Sequence, residues 1–395
     1  MIGWILLAVL QGSQPGDTTF AALARVAERG IRQGVYPGAV VVVGRRDTVL
    51  YARGFGHLTW TTSGSVPSPA ETRWDLASLT KVVATTSAML VLVDEGRVSL
   101  DVPVFRYLPR FRGGSRDRVT VRMLLDHTSG LPPYIPLFRI TKTRQAALDA
   151  LFKVRLQRAP GRGMEYSDLN AILLGLLVEQ VSGMPLNRFA ARAVFVPLGM
   201  KATAFAPELP RTASVAPSRR IGCCAAPGRV NDENAFFLGG VAGHAGLFST
   251  GMDLARFAQT WLREGGGWGG GGGGGDGDEG QGSGSPWVSP ESIRLFLNRP
   301  TGEGRALGWD VPGSGGESAG AGPSAFGVSI CGCAFGHTGW TGTMLWADPA
   351  SDVFVVFLTN RSLEPRMRNS IAAMRELRHE LSERALEIVK HRGDW

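Results

Sequence analysis

A serine followed three residues later by a lysine, Ser78-Leu79-Thr80-Lys81, is the first place where residue types and spacing could do chemistry. On a helix, positions i and i+3 share a face, so the hydroxyl and the amine would lie side by side. A serine at a helix N-terminus also feels the positive end of the helix dipole, which favours an alkoxide. A neighbouring amine can take the hydroxyl proton when desolvation or nearby charge lowers its pKa from about 10.4. Together these would make a nucleophile for acyl transfer. The motif alone is weak, because chance supplies about one match in every three chains of this serine and lysine content. A capping serine followed by a surface lysine would read the same way.

Two further stretches strengthen it. Glu165-Tyr166-Ser167-Asp168-Leu169-Asn170 opens another helix. A tyrosine there can shuttle a proton if nearby cations depress its pKa from about 10. Asp168 either caps the helix that begins at Leu169 or holds Lys81 protonated. Gly336-His337-Thr338-Gly339-Trp340 precedes a C-terminal hairpin. Its glycines let a substrate backbone approach the strand, and His337 could stabilise or relay charge. Backbone N–H groups at Ser78 and Trp340 could form an oxyanion hole.

Ser-x-x-Lys, then Tyr-Ser-Asp, then His-Thr-Gly, in that order, resembles the serine β-lactamase-like superfamily. That group includes class C β-lactamases, D-Ala-D-Ala carboxypeptidases, D-aminopeptidases and related esterases. Leu124-Leu-Asp-His-Thr-Ser-Gly-Leu-Pro132, Phe195-Val-Pro-Leu-Gly-Met200 and Gly239-Gly-Val-Ala-Gly-His-Ala-Gly-Leu-Phe-Ser-Thr250 agree, and look most like its penicillin-binding-protein-4B-like branch. The resemblance covers roughly residues 20–390. It implies that Ser78 is acylated, that Lys81 and Tyr166 form the acid–base pair, and that His337-Thr338-Gly339 lines the substrate strand. Two departures stand out: the class C pattern has Asn where this chain has Asp168, and many β-lactamases have Lys where it has His337. A neutral imidazole binds a substrate carboxylate less strongly than an ammonium does. Both changes weaken the case for efficient penicillin hydrolysis and leave peptidase or esterase chemistry open.

Competing sites carry less. Gly316-Glu-Ser318-Ala-Gly320 has nucleophile-elbow spacing but sits in a glycine–serine tract without the strand and helix an elbow needs. His127 and His244 read as loop-shaping hydrogen-bond partners, and Asp126 as solvated. Cys223-Cys224 and Cys331-Gly-Cys333 lack the spacing of paired zinc ligands. In an exported chain a disulfide could join the two clusters, and free buried thiols fit the sequence equally well.

The elements that must position these residues follow from periodicity. Residues 18–33 have helical spacing. Ala39–Val43 and Thr48–Tyr51 form one hairpin, and Thr343–Ala347 and Val353–Leu358 another. The pattern predicts helices over Asp75–Glu95, Val119–Asp126, Arg144–Phe152, Leu169–Val181 and Glu364–Lys390. Strands thus sit at both chain ends and helices fill the middle. The fold class is α/β (α+β): an antiparallel sheet built from both ends, flanked by helices, with a mostly helical inserted subdomain and the site in the cleft between them. Within a hydrolase domain of residues 17–395, the sheet part spans about 17–75 and 300–395, and the helical part about 76–265. A flexible glycine-rich loop spans 265–285, and a second loose segment runs from Pro312 to Pro323.

The chain has 395 residues, 44% of them hydrophobic and 19% charged, a soluble, foldable composition. Its net charge of +8 comes from arginine, since only five lysines occur. The basic residues are scattered, so the surface reads as solvated and not as a nucleic-acid face. A mild attraction to acidic surfaces is compatible with that charge. Residues Met1–Leu10 form an apolar run too short to span a bilayer. Residues 1–16 therefore read as a secretory signal or membrane-targeting segment without a basic n-region, which places the protein in the periplasm or outside the cell, with anchoring through the N-terminus open.

The expected protein is a monomeric serine hydrolase, without metal or organic cofactor. Its substrate would be a cell-wall-type D-amino-acid peptide, with an ester or a β-lactam next. The rivals are a sensor module that acylates without turnover and a structural envelope protein. Ser78, Lys81 and Tyr166 together argue against a dead site; a burst of product without steady turnover would favour the sensor, and no covalent labelling by any acylating probe the envelope protein.

Overall fold

The structure is a computed structural model that describes residues 18–391, apart from 62–63, 211, 223, 267–285, 299–304, 313–332 and 365. The N-terminal segment, nearly all of the glycine-rich stretch and the Gly316–Gly320 motif lie outside the described residues.

Alternation drives the central sheet. Strands β1 (Gly38–Arg45), β2 (Thr48–Gly56), β3 (Phe335–Thr338), β4 (Met344–Asp348) and β5 (Val353–Thr359) pair antiparallel in the order β2-β1-β5-β4-β3. The first and last parts of the chain meet where Val40 faces Leu358 and Val42 faces Val356. Successive side chains on a strand point to opposite faces. Val41, Val43, Val355 and Phe357 therefore pack one way, against Leu23 and Val26 of α1 (Ala21–Arg32) and Leu377 and Leu381 of the C-terminal helix Ser370–His391. Val40, Val42, Val356 and Leu358 pack the other way, into the core shared with the helical part. Both faces are covered, so β1 and β5 are apolar without interruption.

The helical part contains Val121–Leu125, Arg144–Phe152 and α3 (Asp168–Ser182), which Gly183 closes at φ 72°. Gly251–Leu262 lies in the same stretch of sequence, yet it packs on the sheet: a Cβ at Gly251 would meet Val40 and Val42 at 2.9 Å. Only glycine permits so close an approach.

Several boundaries differ from the sequence expectation. Asp75 does not start a helix. Trp74–Asp75 is a short strand paired with Leu247–Ser249, and Ser78 follows in a tight turn. The helix after it, α2, opens with a wide π turn (Lys81–Thr86) and continues through Ser87–Asp94. The C-terminal helix begins at Ser370, because Glu364 takes a left-handed φ of 46° and precedes a proline. Cys333 is disulfide-bonded, while Cys223 and Cys331 lie outside the described residues.

Candidate active site

Ser78 occupies the turn between the Trp74–Asp75 strand and α2. The preceding residue, Ala77, has φ 47°, a conformation that costs a non-glycine residue roughly 1–2 kcal/mol. Two braces offset that cost. The Ala77 N–H donates to Asp75 Oδ1 at 2.9 Å. From the other side, Thr341 Oγ1 donates to the Asp75 carbonyl at 2.7 Å, and Thr343 Oγ1 to the Leu76 carbonyl at 2.9 Å. The turn that follows β3 therefore lies directly against the turn that carries Ser78. A Cβ at Gly339 would fall 2.5 Å from the Leu76 carbonyl oxygen, which is why glycine stands there. Among the described residues, the backbone N–H groups of Ser78 and Trp340 have no protein acceptor.

Lys81 is almost fully buried, and its ammonium is well satisfied. Nζ donates to Ser78 Oγ at 3.0 Å and to the His244 carbonyl at 3.2 Å, and pairs with Asp168 Oδ1 at 2.8 Å. It also lies 5.0 Å from the Tyr166 ring centroid. Burial alone would push its pKa down. The Asp168 carboxylate and Tyr166 outweigh that and hold it above the ordinary lysine value.

The capping alternative for Asp168 is thereby excluded. Ser167 is the cap, its hydroxyl accepting from the Leu169 N–H at 3.2 Å, and Asp168 is free to face Lys81. Asn170 does not substitute for the Asn of the class C pattern. It is buried in a network with Ser129 (2.6 Å) and His127 (2.9 Å). His127 Nδ1 accepts from the Ser167 N–H at 3.0 Å, and the His127 carbonyl accepts from the Glu165 N–H at 2.9 Å. His127 thus shapes the loop that carries Tyr166 and Asp168. His244 pairs through Nε2 with Asp232 Oδ1 at 2.8 Å. Asp126 is not solvated: it is partly buried and accepts from both the N–H and the hydroxyl of Thr128.

Tyr166 lies in a ring of aromatic and cationic groups. The His127 ring is 4.8 Å away, the His337 ring 5.9 Å and the Arg305 guanidinium 5.4 Å. His337 Nδ1 donates to the Thr338 carbonyl at 2.8 Å, which leaves Nε2 as a buried acceptor without a protein partner. The Thr338 hydroxyl is likewise buried and unpartnered. Trp340 stands at the opposite extreme, 59% exposed, with its ring 4.8 Å from the Arg361 guanidinium. The structure therefore brings Ser78, Lys81, Tyr166, Asp168, His337, Thr338 and Gly339 to one cleft, with Trp340 at its edge.

Three residues of this site escape sequence reasoning. Asp75 hides in a strand, and Asp232 acts through His244. Arg305 is buried in an ion pair with Asp310, and burial lowers its pKa to about 10. In a chain rich in arginine, nothing local marks it. The one available signal is the Gly308-Trp309-Asp310 run that follows, because Asp310 bridges to Gly336 next to His337.

Asp168, Asp232 and His244 bring possible metal-ligand atoms within 4.8 Å of one another. Lys81 already neutralises Asp168, and His244 already bonds Asp232.

The buried histidines set an acid limit on stability. Burial, Arg305 and Lys81 hold the pKa values of His127 and His337 well below the ordinary 6.5. Below that pH the unfolded chain takes up two protons that the folded chain refuses, so stability falls as pH drops. Asp75 opposes this, since burial raises its carboxyl to about 6 and the folded chain gains a proton below that pH. The two histidines outnumber the one carboxyl, so below about pH 6 the unfolded chain binds more protons than the folded one and stability declines with falling pH. Melting temperatures measured across that range should fall, and His337→Asn should flatten the decline. An unchanged slope in the variant would refute the assignment of His337.

Comparison with known proteins places this cleft in a family. A family model described as Beta-lactamase matches residues 23–378. A protein of Salmonella schwarzengrund, provisionally named D-alanyl-D-alanine carboxypeptidase, is 31% identical over 330 residues, which is 76% of this chain and 72% of the relative. Among solved structures, a beta-lactamase/D-alanine carboxypeptidase from Pseudomonas syringae superposes with a TM-score of 0.69 at 19% identity, covering 93% of this chain and 98% of the other. EstCE1, a hydrolase with promiscuous acyltransferase activity, gives 0.66 at 22%, covering 92% and 99%. At those identities the two structures speak for the fold alone. The family match over most of the chain and the 31% identical relative speak for descent: this chain belongs to the beta-lactamase family of serine hydrolases.

Proposed function

We propose that the protein hydrolyses D-amino-acid peptides of the cell-wall type, as a D-Ala-D-Ala carboxypeptidase does, through an acyl-enzyme on Ser78. The observation that carries this reading is the Lys81 ammonium, which donates to Ser78 Oγ at 3.0 Å while Asp168 fixes it in place. The carboxypeptidase name of the 31% identical relative supports the substrate class.

Ser78 Oγ attacks the carbonyl carbon, and the hydroxyl proton passes by way of Tyr166 to the leaving nitrogen. Lys81 keeps its charge and stabilises the phenolate and alkoxide that form along this path. The Ser78 and Trp340 N–H groups, both without protein acceptors among the described residues, receive the oxyanion. Water then resolves the acyl-enzyme by the reverse proton path. His337 and Thr338 present a neutral, unpartnered polar edge to the substrate.

That neutral edge favours a second reading, hydrolysis of carboxylic esters, because it offers no cation to a substrate carboxylate. We further propose that the protein works as a monomer in the periplasm or outside the cell, with residues 1–16 as its export or anchoring signal. Among the described residues, no single helix is long and apolar enough to cross a membrane.

Mass spectrometry of the intact protein after mixing with a D-Ala-D-Ala peptide, a p-nitrophenyl ester and a β-lactam tests the reading. A peptide or ester adduct on Ser78 that decays within seconds is expected. An adduct on another residue, or none with any probe, would overturn it.

A further inference from the structure

Asp75 is a fully buried carboxylate that the catalytic steps above do not use. It lies three residues before Ser78, and its hydrogen bonds run in two directions. Oδ1 accepts from the Ala77 N–H at 2.9 Å, inside the turn that aims Ser78. Oδ2 accepts from the Asn231 N–H at 2.7 Å and from Ser218 Oγ at 3.2 Å, both on a distant segment. That segment is itself anchored: Asn231 Nδ2 donates to the Ser218 carbonyl at 2.8 Å, and Ser362 Oγ donates to the same carbonyl at 2.7 Å. The residue after Asn231 is Asp232, which pairs with His244 at 2.8 Å, and the His244 carbonyl accepts from Lys81 Nζ at 3.2 Å.

From these contacts we infer that Asp75 is a positioning residue for acyl transfer: through the Asn231-Asp232 strip, it sets where Ser78 Oγ stands relative to Lys81. The inference rests on Ser78 being the nucleophile. The nucleophile turn is fastened at Asn231, and the lysine's acceptor is fastened at Asp232, one residue on. Two neighbouring residues of one strip thus fix both halves of the Ser78–Lys81 pair. The turn needs such a clasp because Ala77 is held at φ 47°, from which an alanine relaxes readily. The carboxylate is also a costly way to build a merely structural contact. Three donors face it, which suits the charged form, yet burial raises its pKa to about 6.

The test compares Asp75→Asn, Asp75→Ala and Ser218→Ala with the unmodified chain. Asparagine can still accept from Ala77 but cannot also accept from Asn231. Alanine loses both links, and Ser218→Ala removes one weak donor. The acylation rate at saturating p-nitrophenyl ester and the half-saturating concentration are measured separately, alongside melting temperature and the mass of the acylated protein. A misplaced reacting atom costs rate and not binding, on the order of 10²-fold for a displacement near 1 Å. The expected result is a loss of about 30-fold or more in Asp75→Asn and a larger one in Asp75→Ala. Half-saturation should stay within about 3-fold, with adducts still on Ser78 and a smaller loss of melting temperature in the asparagine variant than in the alanine one.

An acylation rate in Asp75→Asn within about 3-fold of the unmodified chain would overturn the inference. So would equal shifts of rate and half-saturation. If neither Asp75 variant folds, Ser218→Ala decides: a fall of about 3-fold supports the clasp, and no change overturns it. A chain that never acylates at Ser78 would overturn the acyl-enzyme reading together with this inference. Normal acylation with unaffected variants would overturn this inference alone.

Discussion

Ser78→Ala should abolish covalent labelling by a fluorescent penicillin or an organophosphonate and lower ester turnover on the order of 10⁴-fold or more. The floor is set by what remains: the N–H groups of Ser78 and Trp340 and the charge of Lys81 still bind and polarise a carbonyl, but no atom is left to form the acyl bond. The fold should be indifferent. Ser78 is only partly buried, and Lys81 keeps Asp168 and the His244 carbonyl when Oγ is removed. Melting should therefore stay within the range of a tolerated surface change, about 0.5 kcal/mol. Labelling that persists in this variant would assign the chemistry to another residue.

Asp168→Ala has the second largest expected effect, and it falls on stability as well as rate. The two partners of the ion pair are unequally buried, Lys81 at 4% side-chain exposure and Asp168 at 19%. Removing the carboxylate strands the lysine. A buried charge that loses its partner typically costs about 3–5 kcal/mol, unless the group neutralises. Neutralisation is the way out here, because burial then acts on Lys81 with only Tyr166 against it and lowers its pKa from the raised value that Asp168 supports. The deficit in stability should be largest at neutral pH and should shrink as the pH rises and Lys81 loses its proton. Asp168→Asn, which keeps an acceptor and restores the residue of the class C pattern, should lose less. In both variants the alkaline limb of kcat/KM should move to lower pH, since the charge that stabilises the attacking oxygen is lost earlier. Chemical denaturation at pH 7 and pH 10, together with a pH–rate profile, reads both effects. An unmoved alkaline limb would show that Asp168 does not hold the lysine's charge.

Legibility in the sequence followed the range of each interaction. Ser78 and Lys81 are three residues apart, and their pairing spans a single turn of chain, so it can be read without a structure. The two central strands β1 and β5 are equally readable, because burial on both faces leaves unbroken apolar runs in Val40–Val43 and Val353–Leu358. Tyr166 and His337-Thr338-Gly339 were found through the order of motifs and the family resemblance; no local rule connects residues 88 and 259 positions downstream of Ser78. Asp168 was open to two readings, because capping and ion pairing ask for the same residue at the same place. Ser167 took the cap, and only its geometry decided the matter.

The sequence by itself pointed to the Ser78–Lys81 pair and to the two chain ends that build the sheet, and the order of its motifs pointed to the acyl-transfer class. The pair rests on spacing within one turn, the sheet on unbroken apolar runs, and the class on the order of motifs along the chain. Tertiary structure alone decided the electrostatics of the cleft. Asp168 charges Lys81 across 87 residues, Arg305 approaches Tyr166 from a buried ion pair, and Asp75 reaches Asn231 across 156. A buried charge takes its state from whatever surrounds it in space, and that neighbourhood exists only once the sheet and the helical part have closed on each other.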